Sequence, residues 1–175
     1  MKWVEVDKSG ASVGQKCCSP LLANILMPTN QIFSSDYTHG VDEKRRVQVP
    51  AKWRPDEENA ELTLVLWTDM PSQQVCLRVL PPRQVNALMS RIEAMSTSDP
   101  EAVSLRRNIA RNSDQVTLDK VGRICIPERM AKEAGLGKEA LLVGALQWFE
   151  IWNPNRHDAA LSADKMLAPE SVKKI

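Results

Sequence analysis

Two short segments of the sequence place an arginine four residues after an aspartate. In the first segment the pair is Asp42 and Arg46. In the second it is Asp119 and Arg123. Each arginine opens an apolar–polar–apolar run that ends at a proline, which is the pattern of a short β-strand. A guanidinium can bond O6 and N7 of guanine together and can also bind phosphate, so both segments have a residue type that suits DNA recognition.

Further cations accompany both arginines. Lysine and arginine contacts to phosphate supply affinity for DNA, and contacts to base edges supply specificity. The predicted DNA-contacting set is Lys44, Arg45, Arg46 and Lys52 in the first segment and Lys120, Arg123 and Arg129 in the second. A strand that starts at each arginine fixes the direction of the side chain, and a two-stranded ribbon can enter a major groove.

The same segments contain residues that shape a turn. An aspartate repels phosphate, but its side chain can accept backbone N–H groups and orient the arginine four residues later. The predicted turn-structuring set is Asp42, Pro50, Asp119, Gly122 and Pro127. Arg45 occupies the place of Gly122. If that place needs a positive φ, a residue other than glycine costs about 1 kcal/mol or more there.

An isolated aspartate–arginine pair at this spacing is typical of a solvated turn with an ordinary surface ion pair. Here the second copy begins 77 residues after the first, and each copy is followed by the same strand and proline. Repetition of the whole pattern favours a functional surface over the ordinary ion pair.

The repeat organises the chain. We predict an N-terminal extension over residues 1–33, a first half over 34–80, linking helices over 81–113, a second half over 114–160 and a C-terminal tail over 161–175. Each half contains a strand, the turn, the strand before proline, a short helix and two more strands. One half is too small to bury a strand-rich core alone. The predicted fold is therefore α+β and β-rich, with two halves forming one intertwined β-barrel flanked by helices.

Two helices are predicted between the halves. The first begins near Pro82 and places Val85, Leu88, Met89 and Ile92 on one face. The second has Asp99 as its N-cap and Pro100 as its first residue. We expect Ala102, Leu105 and Ile109 to face inward from it.

Composition limits the classes of function. With 175 residues, 43% of them hydrophobic, the chain can bury a core, and its net charge of +1 means that any DNA binding depends on a local patch.

The four cysteines form no C-x-x-C pair and the two histidines lack zinc-ligand spacing, so we expect no metal or cofactor. No hydrolase or metalloprotease motif is present, which indicates a protein that is not an enzyme. No apolar run is long enough to span a membrane, and we expect a cytoplasmic protein.

Five segments resemble the MraZ family. Residues 119–127 (DKVGRICIP), 134–136 (AGL) and 149–154 (FEIWNP) are similar to the second half of its members. Residues 42–52 (DEKRRVQVPAK) are similar to the first half, and residues 99–107 (DPEAVSLRR) to the central helix. The resemblance covers about residues 35 to 160. Each motif is weak by itself, and two copies in order make the signal specific.

The resemblance implies a tandem pair of swapped-hairpin domains of the AbrB and SpoVT type. It implies a regulator of the division and cell-wall gene cluster that acts at its own promoter. It also implies ring-shaped homo-oligomers, associated with the nucleoid, that bind short G-rich direct repeats in double-stranded DNA. Arg45 in place of glycine, the short helix after Pro50 and the first 33 residues depart from the family pattern.

Two other functions stay open at the level of sequence. An AbrB-like antitoxin would use the same turn, although such proteins usually have one copy and an acidic tail. A ring-forming scaffold protein would not contact DNA at all. Loss of DNA binding after removal of Arg46 and Arg123, with the assembly intact, distinguishes a transcription factor from a scaffold.

Overall fold

The computed structural model describes residues 31–55, 60–96 and 98–172; the predicted extension falls outside them except at its last three positions. The strands are β1 (Asp36–Gly40), β2 (Arg46–Gln48), β3 (Glu61–Thr68), β4 (Val75–Leu80), β5 (Ser113–Thr117), β6 (Arg123–Cys125), β7 (Glu139–Gly144) and β8 (Phe149–Trp152). The helices are α1 (Pro82–Glu93), α2 (Pro100–Arg111), α3 (Glu128–Glu133) and α4 (Pro154–Val172), with a 3-10 turn at Ala51–Trp53. The protein is therefore a mixed α+β protein.

The two halves exchange strands. A six-stranded antiparallel sheet has the order β1-β7-β8-β4-β3-β5, so the first strand of each half pairs with a strand of the other half. The strands β1, β3 and β4 of the first half correspond to β5, β7 and β8 of the second, and exchanging corresponding strands reverses the order of the sheet. A separate two-stranded ribbon joins β2 to β6. Among the described strands, hydrogen bonding leaves β1 and β5 as the edges of the large sheet.

An aromatic cluster fills the centre of the core. Trp53 is fully buried, and its ring lies 5.9 Å from that of Phe33 and 5.1 Å from that of Phe149 between centroids. Phe33 also exchanges two backbone hydrogen bonds of 2.9 Å with Leu146. The packed structure therefore includes Phe33, a residue that the sequence assigns to the extension.

Helices α1 and α2 join the halves, and one predicted contact is wrong. The Asp99 side chain accepts the Glu101 N–H at 3.0 Å and caps α2, as expected. Ala102 is fully buried, but Leu105 is 41% exposed and does not face inward. The next residue, Arg106, turns inward instead and donates to two carbonyls at the end of α1 at 2.8 and 2.9 Å. Carbonyls at a helix C-terminus lack intrahelical partners, so a guanidinium satisfies them where leucine cannot.

An ion pair joins the two central strands of the sheet. Arg78 on β4 donates to Glu150 on β8 at 2.9 Å, and its guanidinium lies 3.9 Å from the ring centroid of Trp67. The indoles of Trp148 and Trp152 also donate to Glu150, at 3.3 and 2.9 Å. These contacts give both indole N–H groups partners inside the protein, and Trp152 is buried as a core residue.

Other expectations about composition concern membranes and metals. Within the described residues, no helix combines the length and the apolar character needed to cross a bilayer. The described part of the chain also contains no group of three histidine, cysteine or acidic residues able to hold a metal ion. Cys17 and Cys18 lie outside the described residues.

Gly144 provides a test of the packing between β7 and the chain that leads into β1. A Cβ at this position would lie 2.6 Å from the backbone carbonyl of Phe33, which cannot move without disturbing the core. We expect Gly144→Ala to lower the free energy of unfolding by about 1–3 kcal/mol in urea denaturation. Gly137→Ala is the control, because a Cβ there would meet no atom within 4 Å. An equal loss in both variants would contradict this account of the packing.

Candidate nucleic-acid interface

The first turn is organised around the carboxylate of Asp42. One oxygen accepts the backbone N–H groups of Lys44 and Arg46, each at 2.9 Å. The other accepts the Nε–H of Arg46 at 2.7 Å. The Arg45 N–H donates to the Asp42 carbonyl at 2.8 Å and closes the turn. The Arg46 backbone N–H, followed by the Arg46 side chain, lowers the pKa of Asp42 below its ordinary value, so the carboxylate stays charged and the turn stays held to a lower pH than an ordinary aspartate would allow.

The second turn reproduces this geometry. Asp119 accepts the backbone N–H groups of Val121 and Arg123 at 3.0 and 2.9 Å and the Arg123 Nε–H at 2.8 Å. The Gly122 N–H donates to the Asp119 carbonyl at 2.8 Å. The Arg123 backbone N–H again lowers the pKa of the aspartate. The repeat in the sequence therefore corresponds to a repeat of the same hydrogen bonds.

The glycine difference between the turns has a conformational cost. Arg45 has a φ of 60° and Gly122 a φ of 80°, so this place has the left-handed conformation in both turns. Gly122 is also closely covered, because a Cβ there would lie 2.3 Å from the Nε atom of Arg54. That Nε–H donates to the Val49 carbonyl at 2.9 Å. The second turn therefore favours glycine for its φ, and a side chain there would also displace the Arg54 guanidinium, whereas the first turn has a side chain at the cost of strain.

The ribbon brings the two turns onto one surface. Val47 on β2 lies opposite Ile124 on β6, and both side chains are fully buried. Neighbouring residues of a strand point to opposite faces, so Arg46 and Arg123 lie on the outer face, with side chains 33% and 31% exposed.

At the turns, as at Arg78 and Glu150, an ion pair joins the two halves. A guanidinium nitrogen of Arg123 lies 3.9 Å from the carboxylate of Asp42, while another lies 2.8 Å from its own partner, Asp119. The sequence predicts each pair separately, and the structure combines the two pairs in one network. Both arginines are thus oriented before any ligand arrives.

The remaining predicted cations occupy two environments. Lys44 and Lys120 are exposed in the turns, beside the arginines. Lys52 lies in the 3-10 turn after Pro50, with its Nζ atom 5.0 Å from the ring centroid of Tyr37. Lys52 therefore makes a cation–π contact with Tyr37, which packs against the core, and this contact does not join it to either turn.

Arg129 is the residue of α3 that corresponds to Lys52. It forms an ion pair with Glu133 at 3.0 Å and donates to the Arg111 carbonyl at 2.7 Å. These contacts connect α3 with the end of α2. They do not join Arg129 to either turn, so its assignment as a DNA contact has less geometric support than that of Arg46 or Arg123.

The helical segment that follows Pro50 is shorter than the one that follows Pro127. The Pro50 carbonyl accepts the N–H of Trp53 at 2.8 Å, which gives a single 3-10 turn. The Pro127 carbonyl accepts the N–H of Ala131 at 2.9 Å, and α3 follows. The short first helix and the fuller second helix are both as predicted.

Two residues of the outer face were missed by reasoning from sequence. The Gln48 amide donates to the Val121 and Gly122 carbonyls at 2.8 and 3.1 Å, and the Cys125 thiol donates to the Lys44 carbonyl at 3.3 Å. Gln48 and Cys125 are 77 residues apart and so hold equivalent places in the two copies. That equivalence, together with their outward strand positions, is the signal that could have found them.

Comparison with known proteins shows that the sequence is similar to relatives of one kind. A family profile described as "MraZ protein, putative antitoxin-like" matches residues 109–171. A protein of Thermomicrobium roseum named transcriptional regulator MraZ is 32% identical over 123 residues, which cover 70% of this chain and 82% of that protein. Relatives with the same name from Pseudoalteromonas translucida and Rickettsia rickettsii are each 32% identical, over 78% and 79% of this chain and 89% and 93% of their own lengths.

The strain at Arg45 can be measured by comparing two substitutions. Arg45→Gly and Arg45→Ala both remove the side chain, whose Nε–H donates to the Ile126 carbonyl at 3.3 Å. They differ only in the Cβ atom at a φ of 60°. We expect the glycine variant to be more stable than the alanine variant by about 1 kcal/mol in urea denaturation. Equal stability of the two variants would show that the turn is unstrained.

Proposed function

The chain belongs to the MraZ family, and from this premise we propose that it is a sequence-specific DNA-binding transcription regulator. The observation that carries the proposal is the outer face of the β2–β6 ribbon, where Arg46 and Arg123 are each oriented by an aspartate four residues earlier. No chemistry of bond making or breaking is needed for this function.

The geometry of the ribbon suits recognition in the major groove. A two-stranded ribbon fits the width of that groove, and an arginine can bond both acceptors of a guanine edge. Asp42 accepts from the Nε–H of Arg46, which is one of the five N–H donors of a guanidinium. The aspartate thereby fixes the plane of the Arg46 guanidinium, so less conformational entropy is lost when that group bonds a base.

Affinity requires more than the two arginines. With a net charge of +1, the chain has no general attraction for DNA, so we propose that Lys44 and Lys120, which are exposed in the two turns, meet phosphates beside the ribbon. One such face gives weak binding. We therefore propose that a ring homo-oligomer aligns several ribbons on short G-rich direct repeats, because rotation in a ring relates the faces head to tail.

The remaining parts of the proposal follow the family. We propose that the target lies at the protein's own promoter, in the division and cell-wall gene cluster, and that the protein acts in the cytoplasm on the nucleoid. We also propose that the two halves are swapped hairpins of the AbrB and SpoVT type that form one intertwined barrel. Strand exchange between the halves supports this topology.

The arginines supply the first test. We expect Arg46→Ala/Arg123→Ala to weaken binding to a duplex from the protein's own upstream region by about 1–3 kcal/mol for each guanine that an arginine no longer bonds, measured by fluorescence anisotropy. The effect should be largest on the cognate sequence and small on unrelated DNA. Arg91→Ala on α1 is the matched control, since Arg91 is exposed and far along the chain from both turns.

Lysine variants distinguish phosphate contacts from base contacts in the same assay. Lys44→Ala and Lys120→Ala should weaken binding to all sequences alike and reduce the slope of log affinity against log salt by about one each. Unchanged binding by the double arginine variant, with its assembly intact, would refute the assigned site. Absence of any sequence preference in the unmodified protein would instead favour a ring-forming scaffold protein that does not contact DNA.

Repeat number supplies the second test. Linked modules typically gain about 10² to 10⁴ in avidity when several sites are engaged together. We expect a duplex with several direct repeats to bind at least about a hundredfold more tightly than a duplex of equal length with one repeat. Inverting alternate repeats should remove the gain. Equal affinity for one and several repeats would reject the proposal that oligomerisation drives recognition.

A further inference from the structure

Each half of the protein contributes an outer-face residue whose side chain donates a hydrogen bond to a backbone carbonyl in the turn of the other half. The Gln48 amide lies 2.8 Å from the Val121 carbonyl and 3.1 Å from the Gly122 carbonyl. The Cys125 thiol lies 3.3 Å from the carbonyl of Lys44, the residue that corresponds to Val121. The same contact is therefore made twice, in opposite directions, across the ribbon.

We propose that Gln48 is a positioning residue for the second DNA-contacting turn and that Cys125 has the same role for the first. The inference rests on the proposed function, because it takes the two turns to be the parts that meet DNA. Gly122 also accepts the Val49 backbone N–H at 3.0 Å, so Gln48 and the residue after it contact the second turn through a side chain and a backbone group. Removing Gln48 leaves the turn with the backbone contact but without a donor for the Val121 carbonyl.

A direct role for Gln48 in reading bases fits the geometry less well. Glutamine recognises adenine by donating from its amide nitrogen and accepting at its amide oxygen together. The amide nitrogen of Gln48 is already directed at the two turn carbonyls. Reading a base would require breaking these bonds and would weaken the support of the turn in which Asp119 orients Arg123. Gln48 therefore acts on DNA through the turn.

The two contacts differ in strength. An amide is a good donor and makes two bonds on the second turn, whereas a thiol is a weak donor and makes one on the first. The first turn has two further hydrogen bonds to the other half, because the Arg45 carbonyl accepts the Ile126 N–H at 3.0 Å and the Arg45 side chain donates to the Ile126 carbonyl at 3.3 Å. Removal of the Gln48 amide should consequently matter more for DNA binding than removal of the Cys125 thiol.

A double-mutant cycle on the full chain tests the role of Gln48. We expect Gln48→Ala to lower affinity for the upstream duplex about tenfold, the size of effect that the absence of one or two hydrogen bonds produces. In an Arg123→Ala background the further reduction should vanish, because the arginine that the turn orients is already gone. In an Arg46→Ala background the reduction should persist, because Arg46 belongs to the other turn. An equal reduction in both backgrounds overturns the proposal.

Conservative variants separate positioning from loss of bulk. Gln48→Glu keeps the size of the side chain but has no amide donor, so it should bind at least as weakly as Gln48→Ala. Cys125→Ser retains a donor and should bind as the unmodified protein does, whereas Cys125→Ala should bind about twofold to threefold more weakly, as suits one weak hydrogen bond. Full binding by Gln48→Glu overturns the proposal.

Amide hydrogen exchange on the protein without DNA keeps this inference distinct from the proposed function. In Gln48→Ala, exchange should become faster at Val121, Gly122 and Arg123 and stay unchanged at Lys44 and Arg46. Faster exchange together with absence of DNA binding in the unmodified protein would end the proposed function and leave the positioning role standing. Unchanged exchange at all these amides would end the positioning role.

Discussion

The antiparallel contact between Val47 and Ile124 is the constraint on which the candidate site depends. Both side chains are fully buried in the core, and alternation along the strands then directs Arg46 and Arg123 to the outer face. A slip of one residue would bury the arginines and expose the apolar pair, at a cost far greater than the strand pairing itself could offset. The same strand register therefore determines both which apolar side chains pack in the interior and which charged side chains lie on the outer face.

Given that register, the aspartates reduce the conformational freedom of the arginine side chains. A free arginine side chain has about 2 kcal/mol of rotamer entropy to lose on binding. Asp42 and Asp119 each accept two backbone N–H groups and an arginine Nε–H, so the turn and the fork are fixed together. A carboxylate near phosphate is unfavourable by itself, and the adjoining guanidinium neutralises it. The bond lengths of the two copies agree within 0.1 Å, which indicates one geometry used twice.

Features that depend on short-range chemistry could be predicted from the sequence, and those that depend on tertiary contacts could not. The turns, the stop at each proline, the Asp99 cap and the unequal helices after Pro50 and Pro127 all follow from local residue preferences. The exposure of Leu105 does not, because it depends on Arg106 reaching the end of α1. The hydrogen bond from Gln48 to the Val121 carbonyl joins residues 73 positions apart and exists only in this register, so no local sequence pattern predicts it.

Helices α1 and α2 place both halves on a single chain, and this has a consequence for dilution. Two separate swapped chains would come apart by mass action as their concentration falls, and their shared surface would vanish with them. Here the exchange of β1 and β5 is intramolecular, so the ribbon and its paired arginines persist at any concentration at which the chain is folded. Protein abundance in a cell can then govern only the association of whole chains with one another and with their ligands.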